Sequence, residues 1–204
     1  MDLGARVVSG SGSRLGREFY ERHPTVVAPD LLNKVLVNGH RRGRIVEVEA
    51  YAAGADSASH AHRGRTNRNA SMYGPPGLLY VYFVYGMHWC ANAVCFSDET
   101  AGAVLLRALE PLCGIEEMRD ARAKCKSDRD LSNGPAKLCQ AMGIDGTHDG
   151  TDMAADGKLM IVDDGMAPPG NPGNGVRVGI KNASDIPWRW WVGGNAFVSR
   201  PDGK

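Results

Sequence analysis

The sequence lacks the marks of several classes of protein. Its 204 residues carry 24 basic and 23 acidic side chains, so the net charge is only +1. That balance gives the whole chain no attraction for nucleic acid or anionic lipid, and it excludes histone-like polybasic binding. Hydrophobic residues make up 43% of the chain, enough to bury a core, so disorder is excluded too. The length fits one domain, and we expect residues 1–204 to form a single domain.

Paired cysteines and an apolar N-terminal run are also missing. The five cysteines are odd in number and include no Cys-x-x-Cys pair, and they do not match the ligand spacing of structural zinc. The N-terminal stretch MDLGARVVSG has no apolar run of the kind that a signal peptide needs. We therefore expect a protein of the reducing cytoplasm.

Charged residues are absent from residues 69–97, NASMYGPPGLLYVYFVYGMHWCANAVCFS. Length alone would allow this segment to span a membrane. Pro75, Pro76 and Gly86 interrupt it, however, and its aromatic and β-branched residues favour strands over a helix. We expect two buried strands there and no membrane association.

Local patterns predict a mixed fold in which strands outnumber helices. Helices are predicted at residues 14–22, 115–125 and 133–143. Hairpins are predicted at 34–52 and 78–96, single strand-like segments at 103–111, 176–180, 188–192 and 196–200, and long loops at 54–71 and 145–174. Because hairpins outnumber crossovers, the predicted class is α+β with a curved antiparallel sheet flanked by short helices and carrying a protruding hairpin.

Residues 44–51, RIVEVEAY, alternate with a period of two. The period places Ile45, Glu47, Glu49 and Tyr51 on one face of a strand and small apolar residues on the other. A phenol beside a carboxylate suits a pocket that holds a flat ligand next to a general base. Two glutamates on one strand also fit a solvated outer face, and both interpretations stay open at this point.

Arg107 interrupts an apolar run, AVLLRALEP, at residues 103–111. A buried guanidinium without an anionic partner is very costly, so Arg107 needs a carboxylate, for which Glu49 is one candidate. The alternative is an arginine at a strand edge whose head reaches water.

The familiar motifs of metal, nucleotide and hydrolase sites are absent. His60 and His62 lie two residues apart but have no third ligand at a usable spacing, so we expect no metal ion and no cofactor. The segments GPPG and NGPAK do not fit a phosphate-binding loop, and there is no G-x-S-x-G elbow.

The predicted tip of the second hairpin, Gly86-Met87-His88, brings large apolar side chains to a turn. Tyr85 and Met87 would project there with no core to enter, as do the wedges that some proteins insert between base steps of DNA. Arg63, Arg65 and Arg68 in the preceding loop are candidates for phosphate contacts, although arginines in such a loop are usually just solvated.

Several long blocks together resemble the alkyladenine (3-methyladenine) DNA glycosylase family. They are RIVEVEAY, residues 56–94, AVLLRALEP, NGPAKLCQAMGI and RVGI, and they cover nearly the whole chain in order. The resemblance implies a monomer without metal or cofactor that binds double-stranded DNA. It also implies hydrolysis of the bond between a damaged purine and its sugar in base excision repair, in the cytoplasm or at the nucleoid of a bacterium.

The resemblance assigns roles to individual residues. Glu49 matches the general base that deprotonates the attacking water, Arg107 helps to hold that water and the carboxylate, and the backbone carbonyl of Val178 also contacts the water. The base-binding positions are Tyr51, His60, Tyr82 and the screening residue Asn92; the intercalating positions are Tyr85 and Met87; the predicted contacts to the DNA backbone are Arg65, Arg68 and Lys137. Two departures are His88, where an aromatic residue is common in the family, and the C-terminal WRWWVGGNAFVSR.

From these roles we expect excision of 3-methyladenine, hypoxanthine and ethenoadenine. A cationic purine between aromatic rings is expected to gain roughly 0.5–2 kcal/mol over a neutral one. Strand cleavage is not expected, since no lysine is well placed to attack the sugar. Two alternatives are an N-glycosidase acting on free nucleosides or nucleotides, which would not need the hairpin tip, and a module that only binds damage.

Overall fold

The computed structural model describes residues 12–54, 56–97 and 100–199. The N-terminal residues for which we predicted no signal peptide lie outside these ranges. The strands are β1 Ser13–Arg14, β2 Val35–Asn38, β3 Arg41–Ala52, β4 Leu79–Val84, β5 His88–Ser97, β6 Thr100–Cys113, β7 Leu159–Asp163, β8 Gly173–Gly175 and β9 Arg189–Trp191. The α-helices are α1 Arg17–Tyr20, α2 Pro24–Leu31, α3 Ile115–Ala121 and α4 Pro135–Met142, with 3-10 helices at Asn67–Tyr73, Asp128–Asp130 and Gly146–His148.

The described strands pair in one curled antiparallel sheet, so the predicted α+β class is confirmed. Their order is β1, β7, β2, β3, β6, β5, β4, with β9 beside β3 and β8 beside β9. Both predicted hairpins form, β2 with β3 and β4 with β5, and the uncharged segment at 69–97 contributes β4 and β5 as two strands. None of the described helices is both long and apolar enough to cross a membrane.

Strand β3 is the centre of the sheet, and both of its edges are occupied. Its first four residues pair with β2, Glu47 to Glu49 pair with β9, and its other edge pairs with β6. Residues 43–50 are also buried. The solvated outer face that we considered for Glu47 and Glu49 is therefore wrong, because both side chains are fully buried and accept hydrogen bonds from the C-terminal region of the chain.

A change of register with β6 interrupts the alternation of β3 between Ile45 and Glu47. An extra residue in one strand shifts the parity of the side chains that follow. Ile45 accordingly packs in the main core together with Val48 and Ala50, and not beside the glutamates as predicted.

Two elements at the N-terminal side of the sheet differ from the prediction. Residues 14–22 hold only the short α1, and a second helix, α2, begins at Pro24 with His23 as its N-cap. Proline suits the first turn of a helix, so His23-Pro24 starts a helix where we expected one to end. The predicted loop at 145–174 contains β7, which lies between β1 and β2 and pairs with both.

The C-terminal region forms fewer strands than predicted. Residues 176–180 and 196–199 lie outside the strands, β9 is only three residues long, and Arg200 lies outside the described residues. Side chains bind the backbone of these irregular segments instead of a ladder: the N–H of Val178 donates to Glu49 and that of Ser199 donates to Glu47. Charged acceptors in the interior thus take the place of strand pairing.

Candidate active site

Glu49 is fully buried in the middle of β3 and receives three donors. The hydroxyl of Tyr51 donates to Oε2 at 2.8 Å and the N–H of Val178 donates to Oε1 at 2.7 Å. The guanidinium of Arg107 lies 3.2 Å from Oε1. A carboxylate has about four acceptor positions on its two oxygens, so the donors among the described residues leave one position on Glu49 for a water molecule.

Tyr51 acts as a donor in this arrangement. Burial, followed by the charge of Glu49 and the hydrogen bond to it, raises the pKa of the Tyr51 phenol above its ordinary value. The phenol therefore keeps its proton and directs it at the carboxylate. This hydrogen bond fixes the Tyr51 ring relative to the Glu49 carboxylate.

Glu47 is also fully buried, and four donors converge on it. Oε1 accepts from Arg107 Nε at 2.9 Å, Arg189 Nε at 2.7 Å and Ser199 Oγ at 2.8 Å. Oε2 accepts from the N–H of Ser199 at 2.7 Å. These donors tie Glu47 to Arg107, Arg189 and Ser199, so Glu47 holds the two arginines and the C-terminal segment in place.

Arg107 joins the two glutamates. Burial alone would lower its pKa, but the charges of Glu49 and Glu47 outweigh burial and raise the pKa above its ordinary value. The alternative of an arginine that reaches water is wrong, because the side chain is buried between the two carboxylates. Sequence reasoning missed Arg189, although it interrupts an apolar run, WRWWV, just as Arg107 does.

An aromatic cavity of about 190 Å³ opens above Tyr51. The structure brings all four predicted base-binding residues to this cavity, with Tyr85 at its mouth. His60 meets the Tyr82 ring edge-on at a centroid distance of 4.5 Å. Asn92 is buried, and its amide donates to the carbonyl of Tyr80 at 3.1 Å. The lining residues are Tyr51, Ala58, His60, Arg68, Met72, Tyr80, Tyr82, Val84, Tyr85, Asn92, Gly179 and Ile180.

Tyr80 is a cavity residue that the sequence placed in an aromatic ladder without a role. Its ring stacks on Tyr82 at 5.4 Å, and its hydroxyl lies 2.9 Å from Nδ1 of His60. Burial raises the pKa of Tyr80 to about 12, and desolvation, then the charge of Arg68, lowers the pKa of His60. The phenol therefore donates to a neutral imidazole, whose remaining N–H is on Nε2.

The guanidinium of Arg177 lies over the Tyr51 ring. It lies 4.6 Å from the centre of the ring and binds both oxygens of Asp56 at 2.7 Å. Both partners are buried, so their charges compensate each other inside the protein. Asp56 also accepts from the N–H groups of Ala52 and Ala58 at 3.2 Å, which fixes the loop that carries His60.

The tip of the β4–β5 hairpin consists of Tyr85, Gly86 and Met87, one residue earlier than predicted, since His88 already begins β5. Tyr85 is 79% exposed and Met87 68% exposed. Tyr85 has a φ of 54° and Gly86 a φ of 66°. The left-handed conformation costs a residue with a side chain roughly 1–2 kcal/mol. The exposed position of Tyr85 therefore comes with a strained backbone.

The three predicted contacts to the DNA backbone occupy different places. Arg65 is exposed on the loop before the 3-10 helix at Asn67–Tyr73. Arg68 also lines the aromatic cavity. Lys137 lies on α4, away from the cavity, and donates to Asn133 at 2.7 Å.

His60 and His62 contact different partners, Tyr80 and Gly54, and no three metal-ligating side chains converge among the described residues.

Comparisons with known proteins agree on one family. The family model described as methylpurine-DNA glycosylase matches residues 18–196. A protein of Burkholderia lata named "Putative 3-methyladenine DNA glycosylase" is 57% identical over 192 residues, 93% of each chain. Proteins of the same name from Streptomyces avermitilis, 45% identical over 91% of this chain and 90% of that one, and Clostridium perfringens, 42% identical over 92% and 99%, are also similar.

Proposed function

The chain belongs to the methylpurine-DNA glycosylase family, and on that premise we propose that it flips a damaged purine out of duplex DNA and hydrolyses the bond to its sugar. Membership makes it a hydrolase of N-glycosyl bonds in DNA that acts on methylated purines. The observation that carries the finer proposal is the open acceptor position of Glu49 beside a cavity of aromatic side chains.

In the proposed reaction, a water molecule takes the open position on Glu49. Its oxygen attacks C1′ of the sugar while the carboxylate accepts its proton, a role worth roughly 10²–10⁴ in rate. Arg107 and the N–H of Val178 hold the carboxylate in place, and the carbonyl of Val178 is the predicted second contact of the water. The glycosidic electron pair leaves with the purine, which takes a proton from solvent if it departs as an anion.

A base within a duplex cannot reach Glu49, so the nucleotide must leave the stack, at an expense of a few kcal/mol. Tyr85, with Met87 beside it, is the proposed wedge that fills the vacated space. The exposure of both side chains at the hairpin tip supports this role. Contacts from Arg65, Arg68 and Lys137 to phosphates would hold the duplex in register.

The flipped base is proposed to stack between Tyr51 on one side and His60 with Tyr82 on the other. Stacking can accept 3-methyladenine, hypoxanthine and ethenoadenine, because all are flat and aromatic. Asn92 is the proposed screen against normal guanine. We further propose that hydrolysis proceeds without strand cleavage.

The proposal is tested with a duplex oligonucleotide that carries one alkylated or deaminated purine, incubated with the purified protein and then treated with alkali. We expect strand breaks that depend on alkali, and a monomer in sedimentation. Breaks without alkali would contradict the absence of lyase activity. Release of bases from free nucleosides only would favour the nucleosidase, and tight binding without release would favour the damage-binding module.

A further inference from the structure

Arg68 is the one described residue lining the aromatic cavity that carries a permanent charge. Its guanidinium lies 5.8 Å from the centre of the Tyr82 ring and donates to the carbonyl of Phe83 at 3.0 Å. Among the described residues it forms no salt bridge with a carboxylate, whereas the buried Arg107 pairs with two and the buried Arg177 with one. The cavity that would receive the base therefore has a positive rim.

This position affects how much a cationic base can gain from stacking. A cation within about 6 Å of a ring centre already interacts with the negative face of that ring. Arg68 does so at Tyr82, and Arg177 does so at Tyr51. Neither ring offers a cationic purine the full attraction that we predicted from the sequence, and Arg68 adds repulsion of like charges.

The positive charge of Arg68 has the opposite effect on excision of a neutral purine. When the bond between C1′ and the base breaks, its electron pair leaves with the base, the water oxygen bonds to C1′, and Glu49 accepts the proton of that water. A cationic purine departs as a neutral base, but a neutral purine departs as an anion until solvent protonates it. A fixed positive charge near the leaving base stabilises that developing negative charge.

The geometry points to Arg68 as a specificity-determining residue whose charge favours excision of neutral purines, such as hypoxanthine, over cationic purines, such as 7-methylguanine. This inference rests on the proposed function and goes beyond the phosphate contact predicted for Arg68. It also gives neutral lesions electrostatic help without a second carboxylate, since Glu47 binds Arg107, Arg189 and Ser199 and is not among the described residues that line the cavity. The pKa of His60, lowered first by desolvation and then by Arg68, is consistent with a positive field at this wall.

The test measures single-turnover excision of hypoxanthine and of 7-methylguanine from otherwise identical duplexes. Arg68→Gln removes the charge, Arg68→Lys keeps it, and Arg65→Gln removes a neighbouring charge outside the cavity lining. We expect Arg68→Gln to lower the ratio of hypoxanthine to 7-methylguanine excision roughly three- to tenfold. Arg68→Lys should keep the parent ratio, and Arg65→Gln should slow both reactions alike.

An unchanged ratio in Arg68→Gln, or equal losses on both lesions as in Arg65→Gln, would overturn the inference and leave Arg68 as a phosphate contact. Arg68 is exposed, so its variants are expected to melt within about 2 °C of the parent. If Arg68→Gln fails to fold, Arg68→Met, which keeps the apolar stem, reports the same ratio. A parent protein that excises neither these two lesions nor 3-methyladenine would refute the proposed function itself. A parent that excises 3-methyladenine but not hypoxanthine, or that excises both test lesions with a ratio insensitive to position 68, would refute only this inference.

Discussion

The centre of β3 and the tip of the β4–β5 hairpin are built in opposite ways. At the centre, Glu47 and Glu49 are fully buried and bound by donors from several segments of the chain. At the tip, Tyr85 and Met87 are exposed, and Tyr85 has a left-handed backbone. The glutamate proposed to carry out chemistry is thus held by hydrogen-bond partners, whereas the side chains proposed to enter DNA extend into solvent from a turn.

The largest effect is expected at Glu49. Glu49→Gln keeps the shape of the side chain but cannot take a proton from water, so excision should fall by roughly 10²–10⁴. Single-turnover excision of hypoxanthine measures this loss, and binding of the lesion-containing duplex should persist. Excision at the parent rate would show that Glu49 is not the base.

Glu47→Gln is the matched change two residues away, and it should act on stability first. It leaves Arg189 without its carboxylate and removes one of the two that bind Arg107. Breaking a buried ion pair of this kind lowers the free energy of unfolding by roughly 3–5 kcal/mol. Denaturant unfolding of the parent and the variant measures this loss of stability. If Glu47→Gln kept the parent stability but lost activity, the assignment of a structural role to Glu47 and a catalytic role to Glu49 would be wrong.

At the hairpin tip, stability and activity should move in opposite directions. Asparagine adopts the left-handed region more readily than tyrosine, so Tyr85→Asn should stabilise the protein by up to about 1 kcal/mol. Capture of a paired lesion should weaken roughly tenfold or more, because flipping costs a few kcal/mol. Melting temperature and binding to paired and single-stranded lesions test both parts; equal losses on the two substrates would remove the wedge role.

Asn92 lies between the two regions, and the smallest effect is expected there. Its amide both faces the cavity and binds the carbonyl of Tyr80. If it screens bases, Asn92→Ala should raise excision of guanine relative to hypoxanthine by roughly tenfold, the scale on which a pocket separates similar groups. A lower melting temperature with an unchanged ratio would instead make Asn92 a structural residue of the hairpin.

Local signals in the sequence predicted one part of the molecule well. The Asn38-Gly39 turn and the alternation after it predicted β2 and β3, and Pro135 and Gly143 bracket α4 as expected. Glu49 and the cavity residues were found because a long resemblance assigned them. The roles assigned to these residues stay predictions until the variants are measured.

Long-range pairing accounts for what the sequence did not show. Strand β7 has five residues and depends on β1 and β2, which lie more than 100 residues earlier in the chain. The partnership of Glu47 with Arg189 and Ser199 likewise joins distant segments that carry no shared motif. The register change before Glu47 comes from pairing with β6, so the period of β3 alone could not predict it.

The hydrogen bond from Ser199 to Glu47 spans 152 residues of sequence. Contacts between such distant segments require a large loop to close, and they tend to form late in folding. Arg107, which binds Glu47 and Glu49, also donates to Oγ of Ser199 at 3.4 Å, so its contacts are complete only when the C-terminal segment has docked. A chain still being synthesised, or one only partly folded, would have an aromatic cavity without a completed carboxylate network, and on the proposed function it would not yet excise bases from the DNA it meets.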